Sequence, residues 1–325
     1  MRDLYALRVQ SSIVLGAATL LAFAVAARFS PTAGDWVAVA LILAVGFPHG
    51  ADDVAVMRRL FAGAAPAARR PWLLVAGYLA AMVATLAAWW WQPGVGLALF
   101  LAISIWHFGG DHVAALGLAG RTGRAYAWLW GTFALLAPLC WHPGELRPVV
   151  AAMLGVAPPE ALLRGGAYLA ALAGAGAGAT MLAQWLRGRR VARARAEVAQ
   201  LFLLAHCYVV FPSLWGFAFF FVGIHAATSV VNQLAWERGA RVDAAGLARF
   251  LRRGAPYAAL AAGAIAAGLY LGGATALTPA WLAGFFVLVS AFTTPHALVI
   301  HAASSSLSTA PPVPDAGGAN SYSHA

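Results

Sequence analysis

The feature that most constrains this chain is its apolar residues, which come in runs of about 17 to 25 separated by short segments carrying arginine. That run length is what an α-helix needs to cross hydrocarbon, where a backbone must satisfy its own N–H and C=O groups. The runs fall at 11–28, 36–57, 72–91, 95–118, 125–141, 165–186, 198–212, 214–234, 256–271 and 280–303. They predict an all-α, polytopic transmembrane bundle of about ten helices in one domain over 1–303. Breakers mark the connections: Gln92-Pro93-Gly94, His142-Pro143-Gly144, Ala157-Pro158-Pro159 and Thr278-Pro279. Charged residues make up 10% of the chain and hydrophobic ones 62%, whereas a soluble domain carries roughly 25% charged residues. The segment 304–325, rich in Ser, Pro, Gly and Ala, is expected to be a disordered tail. The first run, behind Arg2 and Arg8, is long and is followed by many others, so it reads as an uncleaved helix rather than a signal peptide.

Net charge is +10, which in a soluble protein would raise the question of nucleic acid. Here the arginines cluster between spans, at Arg58, Arg59, Arg69 and Arg70, at Arg121 and Arg124, from Arg187 to Arg195, and from Arg238 to Arg253. With both termini cytoplasmic, all of these fall on the inner side and only Arg28, Arg147 and Arg164 lie outside. The charge is therefore read as topology, with no nucleic-acid partner. Cys140 and Cys207 fall inside spans and are read as packing residues.

Ionisable groups inside a bilayer are costly, so those in mid-span are candidate functional residues. Most are histidines: His49 in Phe47-Pro48-His49-Gly50, His107 in Trp106-His107-Phe108, His225 in Gly223-Ile224-His225, and His296 in Thr294-Pro295-His296. At 1.5 Å of rise per residue, these four sit roughly 10 to 17 Å from the cytoplasmic ends of their spans. All four lie on even-numbered spans, which run in one direction, so they form a single layer. Neutral imidazole is the commonest ligand of borderline metals, and no Met or Cys cluster favours a soft one. Asp52 and Asp53 follow His49, and Asp111 follows His107, at helical spacing, where each is expected to hold the second ring N–H of its histidine. His206 is a further candidate, His112 and His301 are read as supporting or interface groups, and His142 and His324 as exposed.

Trp89, Trp90 and Trp91 read as an interfacial anchor. Trp106, Phe108, Phe217, Phe220 and Phe221 lie close in sequence to the histidines and are candidates to line a channel for a long apolar ligand, with core packing as the competing role. No phosphate-binding loop, nucleophile elbow or dinucleotide fingerprint fits the chain.

The set Pro48-His49-Gly50-x-x-Asp53, His107-Phe108, the Phe-rich run into Gly223-Ile224-His225, and Thr294-Pro295-His296-Ala297 resembles the Brp/Blh family of membrane carotenoid oxygenases, over roughly 47–301. The resemblance implies a non-haem Fe(II) β-carotene 15,15′-dioxygenase, an oxidoreductase of retinal biosynthesis. Such an enzyme uses O2 to cut the central double bond of β-carotene or a related polyene into two retinal molecules, often for a microbial rhodopsin. It carries the iron ligands over to His49, His107 and His225. The family has a second histidine four residues after the one matching His225, and this chain has Ser229 there. The fourth ligand then falls to His296, with His206 next; a site of three protein ligands, or a lost or altered activity, are the other readings. Two alternatives remain at this stage. One is a transporter or proton relay using intramembrane His and Asp, and the other is a non-catalytic carotenoid- or retinal-binding factor for opsin assembly.

Overall fold

The computed structural model describes residues 4–28, 30–61, 71–116, 118, 120–188, 191–238, 243–273 and 276–309. Among the described residues every regular element is helical. In chain order these are α1 (Leu4–Ala26), α2 (Pro31–Leu41), α3 (Asp53–Leu60), α4 (Pro71–Trp91), α5 (Pro93–Leu116), α6 (Gly120–Cys140) and α7 (Pro143–Leu154). They are followed by α8 (Glu160–Leu186), α9 (Val191–Val210), α10 (Ser213–Phe220), α11 (Ala227–Arg238), α12 (Ala244–Leu271) and α13 (Pro279–Thr309). Five of them begin on proline, whose fixed φ suits the first turn and whose missing N–H would have no partner there. The Ser30 and Asp243 side chains cap α2 and α12 by accepting from the N–H groups of Ala33 and Gly246.

Among the described residues, eight stretches are long and apolar enough to cross a membrane: Tyr5–Ala26, Thr32–Leu60, Trp72–Trp91, Pro93–Val113, Glu160–Leu186, Ser213–Trp236, Ala244–Leu271 and Pro279–Ala303. The other two expected spans, 125–141 and 198–212, lie on α6 and α9, helices of 21 and 20 residues that do not meet the same standard of hydropathy. The chain is thus the all-α polytopic bundle its apolar runs predict. Cys140 and Cys207 are buried free thiols. In the tryptophan triplet, Trp90 and Trp91 are exposed as an anchor requires, but Trp89 is buried and donates to Ser290 Oγ at 2.9 Å. Helix α13 continues to Thr309, past the point where the tail was expected to begin; 310–325, with His324, lies outside the described residues.

Two of the spans are not continuous α-helix. Between α2 and α3 the chain passes through a π-helical turn, Ile42–Gly46, and then a 3₁₀ turn, Phe47–His49. Between α10 and α11 it passes through a second π-helical turn, Phe221–Ala226. Ser213–Trp236 is the most enclosed span, 94% buried, and forms the hub on which α1, α2 and α6 pack. Each π turn holds one residue more than an α turn and so rotates everything beyond it, and such turns recur at functional sites. His49 lies at the end of the first interruption and His225 inside the second.

Close helix contact is built from small residues. A methyl group on Gly109 of α5 would sit 1.9 Å from the Ala127 carbonyl of α6, and one on Gly131 2.1 Å from the Ile105 carbonyl. The two backbones therefore touch, which only glycine permits. Gly46 does the same for the ring of Phe221, 2.3 Å from where its Cβ would lie, and so locks the first π turn against the second.

Candidate metal centre

The four mid-span histidines meet in the interior. His49 comes from the 3₁₀ turn, His107 from α5, His225 from the second π turn and His296 from α13, and each is at most 6% exposed. One ring nitrogen of each lies within 4.8 Å of those of the other three. His49 and His107 each pair with both His225 and His296, at centroid separations of 4.8 to 4.9 Å and interplanar angles of 80 to 88°. The rings thus close a cycle in which His49 faces His107 and His225 faces His296.

Hydrogen bonding sets which nitrogen points inward. His49 Nδ1 donates to the Gly46 carbonyl, and His296 Nδ1 donates to Asp53 Oδ1 at 2.8 Å and Oδ2 at 3.1 Å. A carbonyl or carboxylate oxygen only accepts, so these Nδ1 atoms carry the proton and Nε2 keeps a lone pair. His225 Nδ1 lies 3.9 Å from Asp111 Oδ2. The Nε2 atoms of His107, His225 and His296 are fully buried and have no hydrogen-bond partner among the described residues. A buried acceptor without a partner costs about 1 to 3 kcal/mol. Three side by side is an arrangement that a cation, coordinated by their lone pairs, would satisfy. The donor set is all imidazole, which suits zinc, copper, iron and nickel alike.

The acids support the cluster differently from the sequence expectation. Asp53 was assigned to His49 by helical spacing, but the 3₁₀ turn breaks that register, and Asp53 accepts instead from His296 and from the Tyr78 hydroxyl at 2.9 Å. Asp52 is turned to the other side and takes both arms of the Arg253 guanidinium of α12. Asp111 flanks His225 rather than His107, and its Oδ1 accepts from Asn232 Nδ2 at 2.6 Å; Asn232 Oδ1 in turn accepts from Arg8. Ser229 is fully buried one turn beyond His225, and its hydroxyl accepts from Gln233 at 3.2 Å, while the same amide donates to the His49 carbonyl at 2.8 Å.

His206 is exposed on α9 and lines neither of the cavities described next. His301 packs against Trp106 at 4.3 Å between centroids with the rings tilted by 47°, outside the ring of four. His142 is half-buried rather than exposed, and its Nε2 lies 2.7 Å from the Tyr208 carbonyl. Tyr78, Arg253, Asn232 and Gln233 were not picked out from sequence. The only signal that could have found them is that they are polar groups near predicted span ends, and that does not separate them from other such residues.

All four rings line one wall of a cavity of about 410 Å³. Its other walls are apolar, from Phe47, Met82, Phe108, Phe221 and Phe292 to the small residues Ala258, Ala261 and Ala264. Between α4 and α12 it reaches the surface, where its lining residues Val75, Leu79 and Leu260 are 40, 53 and 71% exposed. Of the aromatic residues proposed as lining, Phe108 and Phe221 face this cavity and Trp106 faces another. Phe217 and Phe220 stand behind it: Phe217 stacks on Phe221, and Phe220 packs between Phe108 and Trp130.

Residues 40–303 match the family model described as beta-carotene 15,15′-dioxygenase. A protein of that name from uncultured marine bacterium 66A03 is 40% identical to the chain over 75 residues, 23% of this chain and 27% of the relative. The match thus spans about a quarter of the relative's length. No solved structure matches the chain with significance.

Proposed function

The chain belongs to the beta-carotene 15,15′-dioxygenase family, and from that premise we propose that it cleaves the central double bond of β-carotene, or of a related long polyene, with O2. The products are two aldehydes, each taking one oxygen atom; with β-carotene both are retinal. The observation that carries this reading is the closed ring of four buried imidazoles, three of them with Nε2 buried and unpartnered, set in the wall of a largely apolar cavity. His49, His107, His225 and His296 would hold Fe(II), which when bound supplies the activation of O2 for scission of a carbon–carbon double bond. Asp53, held by Tyr78, fixes the His296 ring and raises its basicity, and Gly46 does the same for His49. His296 stands where the family's second histidine near His225 would otherwise be needed, since Ser229 is engaged with Gln233.

The rest of the cavity wall positions the polyene and excludes water. Phe47, Phe108, Phe221 and Phe292 present rings to a conjugated chain and offer no hydrogen bond that would hold a water. The bundle lies in a bilayer, on this reading the bacterial inner membrane, and the opening between α4 and α12 admits a substrate dissolved in lipid. The retinal formed is released into the same bilayer, where a microbial rhodopsin would take it up. A proton relay is the weaker reading, since relay groups are strung across a membrane whereas these four face one another.

The test is expression in cells that accumulate β-carotene, with retinal quantified in extracts and iron in the purified protein. The expected result is retinal together with about one iron per chain. Bound iron without retinal would move the substrate to another polyene, and absence of both would overturn the reading.

A further inference from the structure

A second cavity, of about 660 Å³, abuts the first at His107, the one residue whose side chain lines both. Along α13 the two lie end to end: the first is lined from Val289 to His296 and the second from Ala297 to Ala303, a run of roughly 21 Å at helical rise. His107 therefore stands between two cavities that adjoin along α5 and α13, and the imidazole ring is not at the bottom of a single pocket. The wall of the second cavity is mostly apolar, with Val56, Trp106, Val113, Trp236 and Ile300, and its polar groups come from Arg8 on α1, Asp111 on α5, Arg124 on α6, Asn232 and Gln233 on α11 and His301 on α13.

The spare volume is built in by small residues. Gly110 of α5 lines the second cavity, and a methyl group placed on it would meet no heavy atom within 4 Å. Glycine inside a helix costs about 1 kcal/mol relative to alanine. Gly110 is itself exposed, so it stands where the second cavity opens outward, and a larger side chain there would narrow the cavity.

We propose that the second cavity houses the half of a long linear polyene that lies beyond the scissile bond, the first cavity holding the other half and the four imidazoles flanking the middle. The inference rests on the reading that the substrate is a polyene cut at its centre, because such a molecule extends equally far on both sides of the reacting carbons. One cavity beside the cluster would accommodate only half of it. The ligand class is accordingly an apolar isoprenoid chain with a bulky group at each end, one end seated among Trp106 and Trp236 and the other against α4 and α12.

Binding is measured without oxygen, on the full-length, iron-loaded protein in lipid nanodiscs, titrated with β-carotene and separately with retinal. Tryptophan quenching and the polyene absorbance shift give the two affinities. Gly110→Phe fills the second cavity only and is expected to weaken β-carotene binding about ten-fold or more, with retinal changed by no more than about two-fold, since a half-length chain fits the first cavity alone. Ala261→Phe, in the first cavity, weakens both ligands. Ala235→Phe, on α11 in the second cavity, repeats the test should Gly110→Phe fail to retain iron. Unchanged β-carotene affinity in an iron-retaining variant would overturn the two-cavity inference and leave the polyene reading standing. Failure of the wild-type protein to bind either polyene would overturn the substrate reading, and the inference with it.

Discussion

Helix α5 carries two buried histidines five residues apart, His107 at 5% exposure and His112 at 6%, and the protein uses them in opposite ways. His112 is spent locally: its Nε2 lies 2.6 Å from Glu197 Oε2, and its ring stacks on Trp130 at 3.8 Å and 10°. The same carboxylate accepts from Tyr126 at 3.1 Å and Tyr5 at 3.3 Å, so α1, α5, α6 and α9 are tied through one acid. His107 has an inward nitrogen with no partner, and its ring is crossed by those of His225 and His296. Burial and residue type do not separate a ligand from a structural histidine. What differs is Nε2, which at His112 donates to a carboxylate and at His107 meets no hydrogen-bond partner among the described residues.

The largest expected effect is therefore asymmetric within α5. His107→Ala should reduce iron in the purified protein to background and abolish polyene cleavage, while His112→Ala should retain iron; equal iron in both would erase the distinction drawn here. Next comes the support of the ring. Asp53→Asn keeps the shape but removes the charge that orients His296, and is expected to lower metal affinity about 10- to 100-fold, measured by competition with a chelator. Smaller still is the cost of the structural network. Glu197→Gln should lower stability by about 1 to 3 kcal/mol in thermal or denaturant unfolding with iron content unchanged, and loss of iron there would show that the two histidine sites are one unit. At the bottom of the scale stands His206→Ala, on the exposed face of α9, which should change stability by less than about 0.5 kcal/mol and leave iron as it was.

The spans were legible because hydrocarbon leaves the backbone no choice but helix, and run length then dictates where each one lies. The four histidines were legible for a related reason: a shared depth on parallel spans is a one-dimensional property that survives errors of a few residues. Their partners were not. Assigning Asp53 to His49 assumes an unbroken α-helix between them, and the turns through Ile42–Gly46 and Phe47–His49 remove that assumption. Asp52 reaches Arg253 across some two hundred residues of chain, a pairing that no local spacing encodes. Glu197 stands one residue ahead of the expected span 198–212 and just after the arginine cluster Arg187 to Arg195, so nothing in its surroundings marks it as a buried group. The structure begins α9 at Val191, one turn and more ahead of it, and buries the carboxylate at 2% exposure. Phe217 shares a helix face with Phe221 and stacks behind it, so periodicity alone could not tell which of the two rings reaches the cavity.

The opening between α4 and α12 bears on how such a protein would be assayed. On the proposed function, an entrance set among Val75, Leu79 and Leu260 draws on what is dissolved in the surrounding lipid. The quantity that saturates the enzyme is then the mole fraction of polyene in the bilayer, not its concentration in the tube. Adding inert lipid to a fixed amount of substrate slows turnover, whereas adding buffer leaves the rate per enzyme unchanged.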